Sequence, residues 1–459
     1  MSGTETHNID NFWTRYSQPP LPARLLMVLL VFIQFYPTKL VFLPVTLRVL
    51  LSALGMVLLV FKYIKAAVLG QGIVLDKRFL MIVMPLALMT LLSAATLNLN
   101  GTSDPMYLYY FTTSFLMLAS GYLTINIMHV FYKKSLSFEI IAYYCILAVV
   151  CQLAFGLVSY LDKPLVVPLL LKTEEGLLQL KSTDTGRFIG LGQYFMNLGV
   201  ANGFALLLIG ILLKNAAQCK ISPKIKFLLT LFFIFIAVLG NMQARTTTIC
   251  AIIVLAYMVL STIKFNLATL RAGLGQIIMT LFLLVGLLCV VIYYWGDRLS
   301  QYHDAINYGF ELFVSAEDGN GPSTHSSDML KWMLTIWPTT DKTWLIGDGQ
   351  YFVDGGGYYM RTDVGYARLI FYFGVFGMLI FFIYQTIVTR IAFRDITKGW
   401  KGIWFYVYLT ILIINIKSCV DYTFYVSLFF SYNILYNKET AVANLNIAAV
   451  SSRKRIDIA

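Results

Sequence analysis

Arginine, histidine and carboxylate side chains stand out in this sequence because they interrupt or flank long apolar stretches. Arg187 precedes a stretch that carries Tyr194 and Asn197, and Arg245 precedes three threonines that open another apolar stretch. Guanidinium groups bind phosphate oxygens through paired hydrogen bonds and stay charged when desolvated. The two arginines therefore predict an anion site, although anchoring to lipid headgroups also explains either residue alone.

A histidine and two aspartates are further candidate site residues. His325 lies in a polar turn, GPSTHSSD, where it is a candidate catalytic or substrate-binding residue. Asp348 lies in a Gly-Asp-Gly turn, and Asp363 lies just before an apolar stretch. Asp363 and Arg368 enter an apolar stretch five residues apart, and a charged pair in such a place predicts function. A structural salt bridge, with each other or with a neighbouring helix, is an equal alternative for that pair.

Aromatic and amide side chains near these charges predict contacts with sugar. Residues 344–377 read WLIGDGQYFVDGGGYYMRTDVGYARLIFYFGVFG, a polar segment rich in glycine and tyrosine that runs into an apolar helix. Tyrosine rings stack on sugars and bond their hydroxyls, so Tyr359 and Tyr366 are predicted sugar-binding residues. Tyr194 and Asn197 receive the same prediction, with hydrogen bonding between helices as an equal alternative for the amide.

The elements that must position these residues are membrane helices. The chain has 459 residues, 58% of them hydrophobic and 13% charged, and a mean hydropathy of +0.73, which predicts an all-α polytopic membrane protein. Apolar runs of the necessary length predict about twelve spans. They are 25–44, 45–64, 79–97, 106–131, 139–161, 188–213, 226–243, 246–263, 274–295, 364–388, 402–416 and 421–436.

Lysines and arginines cluster at the amino terminus and after every second span, which predicts that both termini lie in the cytoplasm. This topology accounts for the net charge of +12, so a nucleic-acid partner is not needed. The predicted organisation is a cytoplasmic tail (1–24), spans one to nine (25–295), a long outer loop (296–363), spans ten to twelve (364–436) and a second cytoplasmic tail (437–459).

The outer loops differ in their charge and in the structure that their sequences predict. The long loop holds ten acidic residues against four basic ones and two predicted helices, at 298–313 and 326–338. Ser327 is the predicted N-cap of the second helix, whose tryptophan-rich face lies on the bilayer or closes over a substrate. The short outer loop 97–105 has a sequence that is typical of a plain turn. Lys417 and Asp421, four residues apart, predict an ion pair at the last outer turn.

Standard enzyme motifs are missing from the sequence. It contains no P-loop, no HExxH, no CxxC and no GxSxG at a strand-to-helix turn, so ATP use, zinc chemistry and serine hydrolysis have little support. No group of carboxylates is spaced as a divalent-metal cage. We therefore expect neither a cofactor nor a metal ion.

The predicted topology, the long loop before the tenth span and the run GDGQYF…GGYYMRTDVGYARLIFYFGVFG resemble bacterial O-antigen polymerases of the Wzy type. Arg187 and Arg245, followed by a loop histidine, also resemble the pattern of the related O-antigen ligases. The resemblance implies a GT-C-like membrane glycosyltransferase of the inner (cytoplasmic) membrane with its active site facing the periplasm. It also implies a role in lipopolysaccharide biosynthesis and a chain-length regulator of the Wzz type as partner.

The implied reaction is an inverting, metal-independent transfer of a glycan from undecaprenyl pyrophosphate to a sugar hydroxyl of an incoming lipid-linked repeat unit. In this hypothesis Arg187 and Arg245 bind the pyrophosphate with support from Arg368. His325 is the favoured base, ahead of Asp363 and Asp348. The alternatives are an O-antigen ligase, which transfers the chain to lipid A core, and a transporter or flippase, for which twelve spans are also common.

Overall fold

The computed structural model describes residues 19–70, 77–174, 176, 190–192, 195–217, 219, 221–260, 325–353, 356–394 and 403–435. Within these ranges the chain is helical, and its β structure is limited to two isolated bridges, Leu40–Thr173 and Phe352–Tyr358. The helices are α1 (Leu21–Phe35), α2 (Leu47–Val68), α3 (Lys77–Asn100), α4 (Tyr110–Tyr132), α5 (Phe138–Leu161), α6 (Lys163–Leu170), α7 (Phe195–Lys214), α8 (Pro223–Gln243), α9 (Thr246–Leu260), α10 (His325–Met333), α11 (Asp341–Leu345), α12 (Gly365–Arg394), α13 (Ile403–Ile414) and α14 (Thr423–Leu435).

Seven helices in the described ranges are long and apolar enough to cross a membrane: α2, α3, α4, α5, α7, α8 and α12. Four predicted spans coincide instead with the shorter apolar helices α1, α9, α13 and α14. The predicted span 274–295 and the predicted loop helix 298–313 lie outside the described residues. The described chain is thus an all-helical polytopic membrane protein, as predicted, and a total of twelve spans stays a prediction.

Two helix ends differ from the sequence prediction for local reasons. Helix α1 stops at Phe35, well before the predicted end of its span, because the residue preceding Pro37 is pushed away from helical geometry. Helix α10 begins at His325, so Ser327 is its third residue and not the predicted N-cap. On α10, Met333 packs against Val364 in a small apolar cluster, whereas Trp332 is half exposed.

The chain divides into two compact units. Unit 1 comprises 1–44 and 126–314, where α7 is the most buried span and packs against α5, α8 and α9. Unit 2 comprises 45–125 and 315–459, where α12 packs against α3, α11, α13 and α14. Most of the polar residues of the stretch 344–377 therefore lie on or beside the central helix of unit 2.

Helix α12 is broken near its beginning, and the loop 346–349 is hydrogen-bonded to the helix at the break. Phe373 (φ −141°, ψ 26°) and Gly374 (φ 71°, ψ −177°) leave the helical conformation. The carbonyls of Phe371 and Tyr372, just before the break, accept hydrogen bonds from the amides of Asp348 (2.6 Å) and Gly349 (3.0 Å). Backbone groups at a break in a membrane helix must find such partners. The break therefore fixes the loop 346–349 against α12.

Replacing Gly347 with alanine should cost much of the stability of unit 2. Gly347 has φ +82°, and a Cβ atom there would lie 2.5 Å from the carbonyl carbon and oxygen of Tyr372. Gly356 is the matched control, because it has φ +95° but nothing within 4 Å of a Cβ atom. Both substitutions cost about 1–2 kcal/mol for left-handed backbone, and only Gly347→Ala adds the clash. Thermal unfolding in detergent should separate the two variants; equal losses would contradict the close approach.

The predicted ion pair between Lys417 and Asp421 does not form. The segment between α13 and α14 is not helical, so a spacing of four residues does not place the two side chains on one face. The Asp421 carboxylate instead accepts hydrogen bonds from the Gln385 amide (2.7 Å), the Thr423 backbone N–H (2.7 Å) and the Tyr110 hydroxyl (2.6 Å). It ties α4, α12 and α14 together within unit 2.

Candidate anion-binding site

Two arginines are buried in the described part of unit 2, Arg48 and Arg368, and the second lies in the stretch 344–377. Arg368 lies in the first turn of α12, and its side chain is only 4% exposed. Its Cζ atom lies 3.4 Å from the centre of the Tyr358 ring and 3.9 Å from that of Tyr351. Its Nε has no hydrogen-bond partner, and its side chain makes no ion pair with the described residues. The guanidinium is therefore held between two aromatic rings and not by a carboxylate.

Two aromatic rings decide how this guanidinium can bind a ligand. Each ring attracts the cation through its negative face, and the attraction is stronger away from water. The two rings are inclined at 73° to each other, with their centres 6.2 Å apart, and an aromatic face offers the guanidinium N–H groups no oxygen acceptor. A guanidinium group can bond the paired oxygens of a phosphate or carboxylate. A desolvated arginine keeps its charge, and burial without a partner is costly. The arrangement thus favours an oxyanion as ligand.

A short hairpin supplies both rings. Phe352 and Tyr358 form an antiparallel bridge, the Val353 amide donates to the Gly357 carbonyl (3.1 Å), and the Tyr359 amide donates to the Tyr351 carbonyl (3.0 Å). Gly357 takes φ +101°, a conformation that suits glycine at the turn. We call residues 351–358 the tyrosine hairpin; residues 354 and 355 within it lie outside the described part.

Asp363 has the properties of an available base. It is half-buried just before α12, its backbone amide donates to the Met333 sulfur (3.0 Å), and its carboxylate has no hydrogen bond or ion pair within the described chain. Burial raises the pKa of this carboxyl, and the positive charges of Arg368 and Lys417 act in the opposite direction. Of the two alternatives for this pair, the structure does not show the salt bridge between Asp363 and Arg368, although the two groups are close enough to influence each other.

Asp348 is placed differently, because both of its carboxylate oxygens already have donors. Oδ1 accepts from the Thr343 hydroxyl at 2.8 Å and Oδ2 from the Tyr359 hydroxyl at 3.3 Å. These bonds brace the loop that precedes the tyrosine hairpin. A catalytic role for Asp348 stays a prediction, and the geometry favours Asp363 over it. Tyr359, which was predicted to bind sugar, donates one of these two hydrogen bonds.

Comparison with known proteins returned no match: no family model, no curated protein and no solved structure is similar to this chain.

Other predicted site residues lie outside the described residues, in unit 1, or at the start of α10. Arg187 and Tyr194 lie outside it, and the side chain of His325, the first residue of α10, is not described. Asn197, in α7, is exposed, and Arg245 lies in the turn between α8 and α9; both belong to unit 1. Their predicted roles stay predictions.

Tyr366 has a structural explanation. Its hydroxyl donates to the Leu412 carbonyl at 2.7 Å, and its ring packs on Phe382 at 5.2 Å between centres. These contacts tie the start of α12 to α13. A sugar-binding role for Tyr366 would have to use the part of the ring that these contacts leave accessible.

The sequence analysis did not single out Tyr351, whose ring centre lies 3.9 Å from the Arg368 Cζ atom. Tyr351 is 5% exposed, and its ring packs on Tyr107 at 5.7 Å and Tyr372 at 6.4 Å. A turn-forming run of three glycines between two tyrosine-containing segments was the available signal for a hairpin.

Proposed function

We propose that this protein is a membrane glycosyltransferase that polymerises lipid-linked oligosaccharide repeats, as the O-antigen polymerases do. The observation that carries the proposal is Arg368, a buried guanidinium held between Tyr351 and Tyr358 with no carboxylate partner in the described chain. The apolar helices support a substrate that arrives through the bilayer, such as a glycan on undecaprenyl pyrophosphate. We place the site on the periplasmic side of the bacterial inner membrane, with a Wzz-type regulator as partner.

In the proposed reaction the Arg368 guanidinium binds pyrophosphate oxygens of the donor. The acceptor hydroxyl oxygen attacks the anomeric carbon of the donor sugar, forming a C–O bond with inversion. The bond from that carbon to the phosphate oxygen breaks, and the pyrophosphate leaves with the electron pair. Arginine stabilises the charge that develops on the leaving group without supplying or taking a proton. Arg187 and Arg245 stay proposed pyrophosphate-binding residues on the strength of the sequence alone.

Asp363 is the proposed general base. Its carboxylate has no donor within the described residues, so it can accept the proton of the acceptor hydroxyl. Its raised pKa brings its basicity nearer to neutral pH, where a base is most effective. His325 is the other candidate, since it begins α10, the helix whose Met333 contacts the Asp363 amide.

The function is tested with purified protein in proteoliposomes that contain lipid-linked repeat units. A polymerase should lengthen the lipid-linked saccharide without any lipid A core present, which is seen as a ladder after release and electrophoresis. Transfer that requires lipid A core would identify a ligase, and movement of the saccharide across the bilayer without lengthening would identify a transporter. In a deletion strain, the lipopolysaccharide should keep a single-repeat cap and lose longer chains.

A further inference from the structure

A segment that the sequence predicted to be a plain turn is bonded to the start of the tyrosine hairpin. Asp104 lies between α3 and α4, and its Oδ2 atom accepts hydrogen bonds from the backbone amides of Tyr351 (2.8 Å) and Phe352 (2.9 Å). Its Oδ1 atom accepts from the Met106 amide at 3.1 Å. The Asp104 carbonyl also accepts from the Tyr372 hydroxyl at 2.7 Å. Asp104 thus forms hydrogen bonds with the hairpin through its side chain and with α12 through its backbone carbonyl.

Neighbouring residues of this segment hold the loop that leads into the hairpin. The Thr96 hydroxyl donates to the Ile346 carbonyl at 3.0 Å, and the Asn100 side-chain amide donates to the Gly347 carbonyl at 3.0 Å. These contacts fix the loop before the hairpin begins. Asp104 supplies the next contact along the chain, at the residue whose ring covers Arg368.

We infer that Asp104 is a positioning residue that keeps the Tyr351 ring on the Arg368 guanidinium. Two adjacent amides that donate to one charged oxygen fix the direction of the backbone at Tyr351, and hydrogen bonds to charged acceptors are stronger than neutral ones. The bridge between Phe352 and Tyr358 passes this constraint to the second ring. The consequence for catalysis rests on the proposed function; the constraint on the hairpin does not.

The first test measures access to Arg368 and is independent of activity. Phenylglyoxal modifies accessible arginines, and mass spectrometry of the full-length protein in detergent gives the rate at each site. In Asp104→Ala we expect Arg368 to react about tenfold faster, because the loss of a charged acceptor frees the hairpin. The exposed Arg361 is the internal reference and should not change. Asp162→Ala is the control: this aspartate also accepts a backbone amide, that of Leu165, but lies in unit 1.

A conservative variant and a double-mutant cycle distinguish positioning from a general loss of structure. Asp104→Asn keeps an acceptor oxygen, so Arg368 should react more slowly with phenylglyoxal in this variant than in Asp104→Ala. If Asp104→Ala does not accumulate, Asp104→Asn alone is compared with the wild type. In a Tyr351→Ala background Asp104→Ala should add almost nothing to the labelling rate, since both changes act through one contact. In chain extension, Asp104→Ala should raise KM for the lipid-linked donor by about tenfold and change kcat less.

The outcomes separate this inference from the proposed function. Unchanged labelling of Arg368 in both Asp104 variants, or additive effects in the cycle, would overturn the positioning role. Faster labelling with normal chain extension would support the positioning role and contradict the proposed use of Arg368 in catalysis. Faster labelling with a higher KM would support both.

Discussion

Arg368→Ala should lose at least about 100-fold in kcat/KM for chain extension, as expected when one preorganised donor to a developing anion is removed. Arg368→Lys should lose nearly as much. An ammonium group is not planar, so it cannot bond two oxygens in parallel as the guanidinium beside Tyr351 and Tyr358 can. Extension of lipid-linked repeats in proteoliposomes is the measurement, with Arg361→Ala as a control that removes an exposed arginine from the same loop.

Replacing Arg368 should lower activity without lowering the stability of the folded protein. Arg368 is desolvated and makes no ion pair with the described residues, so its charge contributes little to folding beyond the two ring contacts. Replacing a buried charge with an apolar side chain of similar volume is often neutral or stabilising. We therefore expect Arg368→Met to be inactive with an unchanged or higher melting temperature. Normal extension by Arg368→Ala would contradict an anion-binding role, and a large loss of stability in Arg368→Met would indicate a structural one.

The helices of this protein were predictable from sequence, because a span of lipid-facing backbone requires a run of apolar residues whatever surrounds it. The ends of α1 and α10 differ from the prediction, and the proline after Tyr36 explains the first of them. Arg368 was also singled out in the sequence, since a charge entering an apolar helix is costly and therefore informative. A salt bridge with Asp363 was one alternative for it, but the guanidinium lies against the rings of Tyr351 and Tyr358 instead.

The arrangement around Arg368 depends on contacts that no local pattern contains. Asp104 bonds to the Tyr351 amide across 247 positions, and an aspartate in a short polar turn is compatible with many other roles. The break of α12 at Phe373 and Gly374 fixes the loop that carries Asp348, whereas the Asp363 amide bonds to the Met333 sulfur. Two aspartates that were equivalent candidates in the sequence differ in the structure because one has two donors and the other has none within the described chain.

Asp363→Asn should lose about 100-fold or more in kcat, the contribution expected from a general base. In the wild-type protein the rate should rise with pH as the Asp363 carboxyl deprotonates, and this rise should occur above the usual range of an aspartate because burial raises its pKa. The positive charges of Arg368 and Lys417 limit that increase. The asparagine variant should lack this acid limb. The measurement is the pH profile of chain extension, with Asp341→Asn, an exposed carboxylate in α11, as the control.

Asp363→Asn should lower activity but raise the stability of the folded protein, because the folded and unfolded states bind protons differently at this carboxyl. Because the pKa of Asp363 is higher in the folded chain than in the unfolded one, the folded state binds more protons between those two values. Stability is then lost as pH rises through that window and stays lower above it. Asp363→Asn removes this loss, so its melting temperature should exceed that of the wild type at neutral pH, and the difference should shrink at acidic pH.

An inactive variant that is more stable than the wild type at neutral pH is the combination expected of a carboxylate kept for its reactivity. A less stable Asp363→Asn would instead mean that the carboxylate supports the fold. If Asp363→Asn extends chains normally and His325→Ala does not, the base is His325. In that case the negative charge of Asp363 beside Arg368 would serve to tune anion binding, which a lower KM for the lipid-linked donor in Asp363→Asn would reveal.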